Sequence, residues 1–212
     1  MTIQKTCVLL ANGKFPEHRI PLDKISKSKN IVCLDGAVNN LVKNKLKPST
    51  IIGDLDSINP DFKKIYSEII IETPNQDKND LEKGLDWLEN QGYSDITIIG
   101  ATGLRDDHTL SNIFIILEKN YQMNIKAITD FGTFQIVKGH KNISSFKGQK
   151  VSLFTLKKDS KITTTNLKYQ LNKSSINTLF YGALNESISS SFDVQIDRGS
   201  VLLYTAHSEC EE

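Results

Sequence analysis

Six short runs, TCVLLAN, NIVCLDG, STIIGD, SEIIIET, DITIIGA and IKAITD, punctuate the chain up to Asp130, each apolar through its middle and rich in β-branched side chains. A run that is apolar on both faces suits a strand covered on both sides, as strands of a parallel sheet are. Helix signals lie between them in GAVNNLVKNK, NDLEKGLDWLENQG and HTLSNIFIILEKN. The second places Leu81, Leu85 and Leu88 on one stripe, begins at the capping residues Asn79 and Asp80 and stops at Gly92. Strand and helix in alternation predict an α/β fold, an open and mainly parallel sheet with flanking helices.

Beyond Asp130 the pattern changes. FQIVKG, KVSLFTL, KITTTN, LKYQL, SFDVQID and SVLLYT follow one another with turns rich in Ser, Asn and Gly and no helical stretch between them. This predicts a C-terminal all-β sandwich. Gly139 and His140 interrupt the apolar pattern, so the boundary is drawn there, giving an α/β domain at 1–138 and a β domain at 139–212. A length of 212 residues suits one ordinary domain with a smaller companion.

A formal net charge of +1 argues against a dedicated nucleic-acid binder, and 38% hydrophobic with 24% charged residues is the balance of an ordinary globular protein. MTIQKT leads directly into the strand-like CVLLA, and no long apolar run follows, so the expectation is a cytoplasmic protein without membrane segments. Cys7 and Cys33 fall inside strand runs and Cys210 in the acidic tail, a spacing that suggests reduced thiols and neither a disulfide framework nor a zinc site.

In an open parallel sheet, ligands bind beyond the carboxyl ends of the strands. The unusual polar residues lie there: Asn12-Gly13, Asp35-Gly36, Gly53-Asp54-Leu55-Asp56-Ser57, the stretch from Thr73 through Asp77 and Lys78 to Asp80, and the stretch from Gly100 through Arg105 to His108. Carboxylates converging on one rim repel unless a cation neutralises them. Oxygen ligands without Cys or paired His favour magnesium or manganese over zinc, and magnesium in turn implies phosphate. Lys78 and Arg105 are placed to stabilise phosphate charge, and the Gly100–Gly103 loop offers backbone N–H groups at a helix start. Taken singly, Asp-x-Asp is also a common turn, Asp80 a common N-cap and His108 a capping or packing residue, and no Gly-Lys-Ser run marks a Walker loop. The argument rests on their coincidence at one rim.

GDLDSI at 53–58, NQDKNDLEKGL at 75–85 and GATGLRDDHTLSN at 100–112 resemble, in order and spacing, the three signature segments of thiamine pyrophosphokinases. DGAVNNL at 35–41 is similar to the family's Asp-Gly-Gly-Ala-Asn segment, and GALNESIS at 182–189 to its C-terminal Ser-Asn-Glu segment. The resemblance implies an α/β domain, a β-sandwich, and a homodimer with thiamine at the junction of subunits and domains. It implies attack by the hydroxyethyl oxygen of thiamine on the β-phosphorus of ATP, with AMP leaving. It also implies roles: Asp54, Asp56 and Asp77 as magnesium ligands, Asp80 and Asp35 in supporting or substrate-contacting positions, and Lys78 and Arg105 facing the polyphosphate. Asp107 would lie near the thiamine pyrimidine and Asn185 in the thiamine-binding segment. Ala37, Val38, Asn40, Leu104 and Leu184 depart from the family pattern, the last at its usual Ser.

Other readings of the same residues are a pyrophosphokinase for another heterocyclic alcohol such as a hydroxymethylpterin, a haloacid-dehalogenase-type phosphatase with Asp54 as nucleophile, and a nucleotide- or thiamine-sensing module with a degenerate site.

Overall fold

All six apolar runs of the first half form strands: β1 (Thr6–Leu10), β2 (Ile31–Leu34), β3 (Thr50–Gly53), β4 (Ile70–Glu72), β5 (Asp95–Ile99) and β6 (Asn124–Ile128). The computed structural model describes residues 4–74 and 77–208, so Asn75 and Gln76 of the second signature segment, and Cys210, lie outside the described residues. The chain divides into two compact units, Met1–Ile115 with Asn120–Asp130, and Ile116–Lys119 with Phe131–Glu212.

In the first unit the strands run in the order β6-β5-β1-β2-β3-β4, and every pairing is parallel. The chain steps outward from β1 to β4, then returns to β5 on the other side of β1. That reversal opens a crevice at the carboxyl end of β1, the position where such sheets bind ligands.

The predicted helices are present as α2 (Ala37–Lys43), α4 (Asp80–Asn90) and α5 (Asp106–Glu118). On α4 the Asn79 side chain caps the Glu82 N–H, and Leu81, Leu85 and Leu88 are buried; each such Leu contributes about 1.5–3 kcal/mol. Gly84 lets this helix close on β2, since a Cβ there would lie 2.5 Å from Leu34 Cδ2.

Two helices were not among those expected, α1 (Arg19–Lys27) and α3 (Pro60–Ile65). Pro21 lies in the first turn of α1, where a missing N–H removes no intrahelical bond, and the cap is the His18 ring, which accepts from the Ile20 N–H. Asp130 holds the approach to α1 by accepting from the Glu17 and His18 N–H groups. α3 is six residues long, too short to display a periodicity.

Among the described residues, the second unit's regular structure is β apart from a 3₁₀ turn at Leu179–Gly182 and residues 116–118, the end of α5. β7 (Gly132–Val137), β9 (Lys150–Phe154), β11 (Asn185–Glu186) and β13 (Val201–Ala206) pair antiparallel in the order β11-β9-β13-β7. β8 (His140–Ser144), β10 (Ile162–Thr165) and β12 (Ser191–Ile196) form a second antiparallel sheet in the order β10-β12-β8. Their inner faces share a core that includes Val137, Leu153, Phe192, Val194 and Leu203. This is the expected sandwich. The break between units falls at Asp130/Phe131, whereas the boundary drawn at 138/139 lies at the far end of β7, whose pairing with β13 along its whole length places it in the second unit.

LKYQL, expected as a strand, is irregular. Leu167 makes only an isolated bridge to Ser187, and the Asn185 amide binds both the N–H and the carbonyl of Tyr169 in place of a ladder. β8 went unrecognised because it is a polar edge strand in which Ile143 alone is buried. The Ser-rich stretch has a structural use: fully buried Ser187 directs its hydroxyl to Ser145 and to the Ser189 carbonyl.

Candidate active site

A cleft of about 420 Å³ opens in the first unit at the carboxyl ends of β1, β2, β3 and β5. Its acidic wall follows from the way β2 and β3 end. A Cβ on Gly53 would fall 2.8 Å from the Asp35 Cβ, so only glycine lets the end of β3 press against Asp35. Asp35 itself turns into the left-handed region at φ 43°, as Leu55 does at φ 69° between the two aspartates that follow β3. The result brings a carboxylate oxygen from each of Asp35, Asp54 and Asp56 within 4.8 Å of one another.

Asp35 is buried, and its Oδ1 has no hydrogen-bond partner among the described residues. Burial pushes its carboxyl above the usual range by more than the Ser57 side chain and the Gly36 N–H offset, and the charges of Asp80 and Asp56 add to the rise. A buried anion left with an unpaired oxygen beside two more carboxylates is a site that favours a hard cation. Asp35→Asn should therefore raise the melting temperature of the metal-free protein, by about 2–4 °C for each kcal/mol relieved. It should also shrink the stabilisation given by magnesium. Asn tolerates the positive φ, and thermal denaturation with and without magnesium chloride reads both effects.

Asp80, at the first position of α4, lines the same cleft. Its carboxylate pairs with Lys83 Nζ at 3.2 Å, and the same ammonium stands 3.8 Å from Asp54. The Lys83 side chain is only 5% exposed. This buried cation, under the acidic rim and bridging two of its carboxylates, was missed in the sequence. The available signal was a Lys one turn after Asp80 in NDLEKGL, within a helix whose neighbouring Leu residues are core.

Asp77 is exposed and is neither in the close trio nor among the residues lining the cleft. Lys78 does line it, with its ammonium ion-paired to Asp86 and 3.9 Å from Glu82. Arg105 lines the opposite side, and its Nε and Nη2 fork onto the two oxygens of Asp107. That hydrogen-bonded guanidinium holds the Asp107 carboxyl down at about 2. The residues expected to face the phosphate and the thiamine thus hold one another at the start of α5.

The glycine loop is built by close backbone approach. Gly13 N–H donates to the Gly100 carbonyl at 2.7 Å, Lys14 N–H donates to that of Thr102 at 2.9 Å, and a Cβ on Gly13 would lie 2.3 Å from the Gly100 oxygen. Gly100 and Gly103 adopt φ values of 72° and 92°. A loop with such backbone and a helix behind it can present N–H groups to an anion.

In the second unit, Asn185 is buried and its amide serves the Tyr169 and Glu186 backbone. Leu184 is 72% exposed at φ 58°. Its N–H donates to Ser152 Oγ at 3.3 Å.

Two family patterns match this chain: "Thiamin pyrophosphokinase, catalytic domain" over residues 22–129, and "Thiamin pyrophosphokinase, substrate-binding domain" over residues 132–204. The chain belongs to the thiamin pyrophosphokinase family. Membership makes it a diphosphotransferase enzyme. The gap between the two matches, at 130–131, coincides with the break between the units at Asp130/Phe131.

Thiamine pyrophosphokinase 1 of Oryza sativa subsp. japonica is 29% identical over 208 residues, spanning 82% of this chain and 77% of the relative. The fold is that of thiamine pyrophosphokinase from Bacillus subtilis, with a TM-score of 0.78, 23% identity, and coverage of 96% of this chain and 100% of the other. It is also that of the Candida albicans enzyme, with a TM-score of 0.77, 20% identity, and coverage of 96% and 89%. Among the described residues of this thiamin pyrophosphokinase family member, no helix is long and apolar enough to cross a membrane.

Proposed function

We propose that this chain catalyses transfer of the pyrophosphoryl group of ATP to the hydroxyethyl oxygen of thiamine, with magnesium, giving thiamine diphosphate and AMP. The observation that carries the reading is the gathering of Asp35, Asp54 and Asp56 oxygens within 4.8 Å at the rim of a cleft also lined by Lys78, Lys83 and Arg105. The family supplies the substrates; the side chains suit them. In the reaction the thiamine oxygen forms a bond to the β-phosphorus, the bond from that phosphorus to the oxygen bridging it to the α-phosphorus breaks, and AMP departs with that oxygen.

Such transfer is mainly a matter of alignment and charge neutralisation. The all-oxygen donor set and the orphaned Asp35 oxygen fit magnesium, with Asp35, Asp54 and Asp56 as the residues that would hold it and Asp77 kept from the family assignment. When bound, magnesium supplies neutralisation of polyphosphate charge. Lys83 fixes Asp54 and Asp80 relative to each other, the Gly100–Gly103 loop offers backbone N–H groups to phosphate oxygens, and Lys78 and Arg105 add cationic charge at the two sides. Asp80 or Asp77 would accept the hydroxyl proton if a base is used. The substrate-binding match over residues 132–204, which includes Leu184 and Asn185, supports thiamine over a pterin, and Asp107 keeps the thiamine role that the family resemblance implies. The proposed homodimer is open to test by light scattering, and a cytoplasmic location by fractionation.

Incubation with thiamine, ATP and magnesium should yield thiamine diphosphate and AMP in equal amounts. Release of ADP or free phosphate instead would rule the reaction out.

A further inference from the structure

We propose that Asn79 and Asn112 form a polarised amide relay that sets the gap between the loop carrying Lys78 and Asp80 and the glycine loop after β5, making Asn112 a positioning residue for the polyphosphate. The relay runs in one direction. The Glu82 N–H donates to Asn79 Oδ1 at 2.9 Å, Asn79 Nδ2 donates to Asn112 Oδ1 at 3.2 Å, and Asn112 Nδ2 donates to the Ala101 carbonyl at 2.9 Å. Asn79 Nδ2 also stands 3.5 Å from Ser111 Oγ.

Both ends fix the sense of the chain. A backbone N–H can only donate and a carbonyl can only accept, so each amide has one orientation that satisfies both of its neighbours. Asn79, Asn112 and Ala101 all line the cleft.

The relay links the two walls of the cleft. The Gly13 and Lys14 N–H groups hold the glycine loop from the β1 side. Asn112 holds it from the α5 side and ties it to the cap of α4, the helix that carries Asp80 and Lys83. Cations and carboxylates on one wall and anion-facing N–H groups on the other must keep one spacing for a polyphosphate to meet both, and a displacement of about 1 Å can cost roughly 10²-fold in rate.

Substitutions that change one atom separate the two links. Asn79→Asp keeps the oxygen that caps α4 and loses the donor to Asn112. Asn112→Asp keeps the acceptor for Asn79 and loses the donor to Ala101.

The proposal rests on the functional reading of this cleft, so the wild-type protein is assayed alongside. Each variant is expected to form thiamine diphosphate roughly 10²-fold more slowly at saturating ATP. Its KM for thiamine should be unchanged and its melting temperature within about 4 °C of wild type, the shift that loss of one ordinary hydrogen bond gives. Because the relay acts as a unit, Asn79→Asp combined with Asn112→Ala should be no slower than Asn112→Ala alone.

If Asn112→Asp does not fold, Asn79→Asp, which retains the helix cap, reads the relay by itself. Wild-type turnover in folded variants, or losses that multiply in the double variant, overturns the relay. An inactive wild type with the three substrates fails the functional reading first, and the proposal falls with it.

Discussion

Asp56→Asn is expected to lower thiamine diphosphate formation by about 10³-fold, the upper end of what one preorganised electrostatic group contributes. The fold should survive, because Asp56 is exposed and its side chain accepts a hydrogen bond from its neighbour Ser57 at the protein surface. The loss should be accompanied by loss of the thermal stabilisation that magnesium gives the wild type, which ties the defect to the cation. Substantial turnover in a well-folded variant would sink the assignment of this rim to a metal.

Lys83→Met should act on stability as well as rate. The methionine side chain has a similar length and no charge, so the change removes the ammonium between Asp54 and Asp80 with little change in volume. Breaking a fully buried pair costs about 3–5 kcal/mol, and because the Asp80 side chain is 37% exposed a smaller loss of about 2 kcal/mol is expected. Turnover should fall by about 10²-fold. Saturating magnesium should return part of the lost stability, because the cation takes over neutralisation of Asp54. Denaturant unfolding with and without magnesium measures this, and a variant as stable and as active as the wild type would make Lys83 a bystander.

Much of this architecture could be read along the chain, for a definite reason. The inner strands of the first unit are largely buried, so TIIG and DITII declare themselves by composition alone, and the glycines at their ends mark the rim. What escaped was information carried by pairing. The polar HKNIS is a strand only because β12 lies beside it, and LKYQL is not one because Asn185 captures its backbone. The site shows the same division. Asp35, Asp54, Asp56 and Asp80 could be picked out as carboxylates after strands, but the closeness of Asp35 to Asp54 and Asp56 depends on the contact between Gly53 and the end of β2. Lys83 was not singled out, and Asn112 appeared only as the last residue of the segment at 100–112. Asp80, one turn from Lys83, was a local signal, but Asp54 and the partners of Asn112, Asn79 and Ala101, lie in other segments.

The tight seat of α4 on β2 through Gly84 bears on how the enzyme can move. Where no side chain separates the helix from the strand, at Gly84, a roll or slide would press the helix onto the Leu34 side chain, and the buried Leu81, Leu85 and Leu88 pack beside it. The wall bearing Asp80 and Lys83 is therefore an anvil, and the Asn79–Asn112 link carries its firmness across the cleft to the glycine loop. Amide exchange along α4 should accordingly stay slow with and without nucleotide.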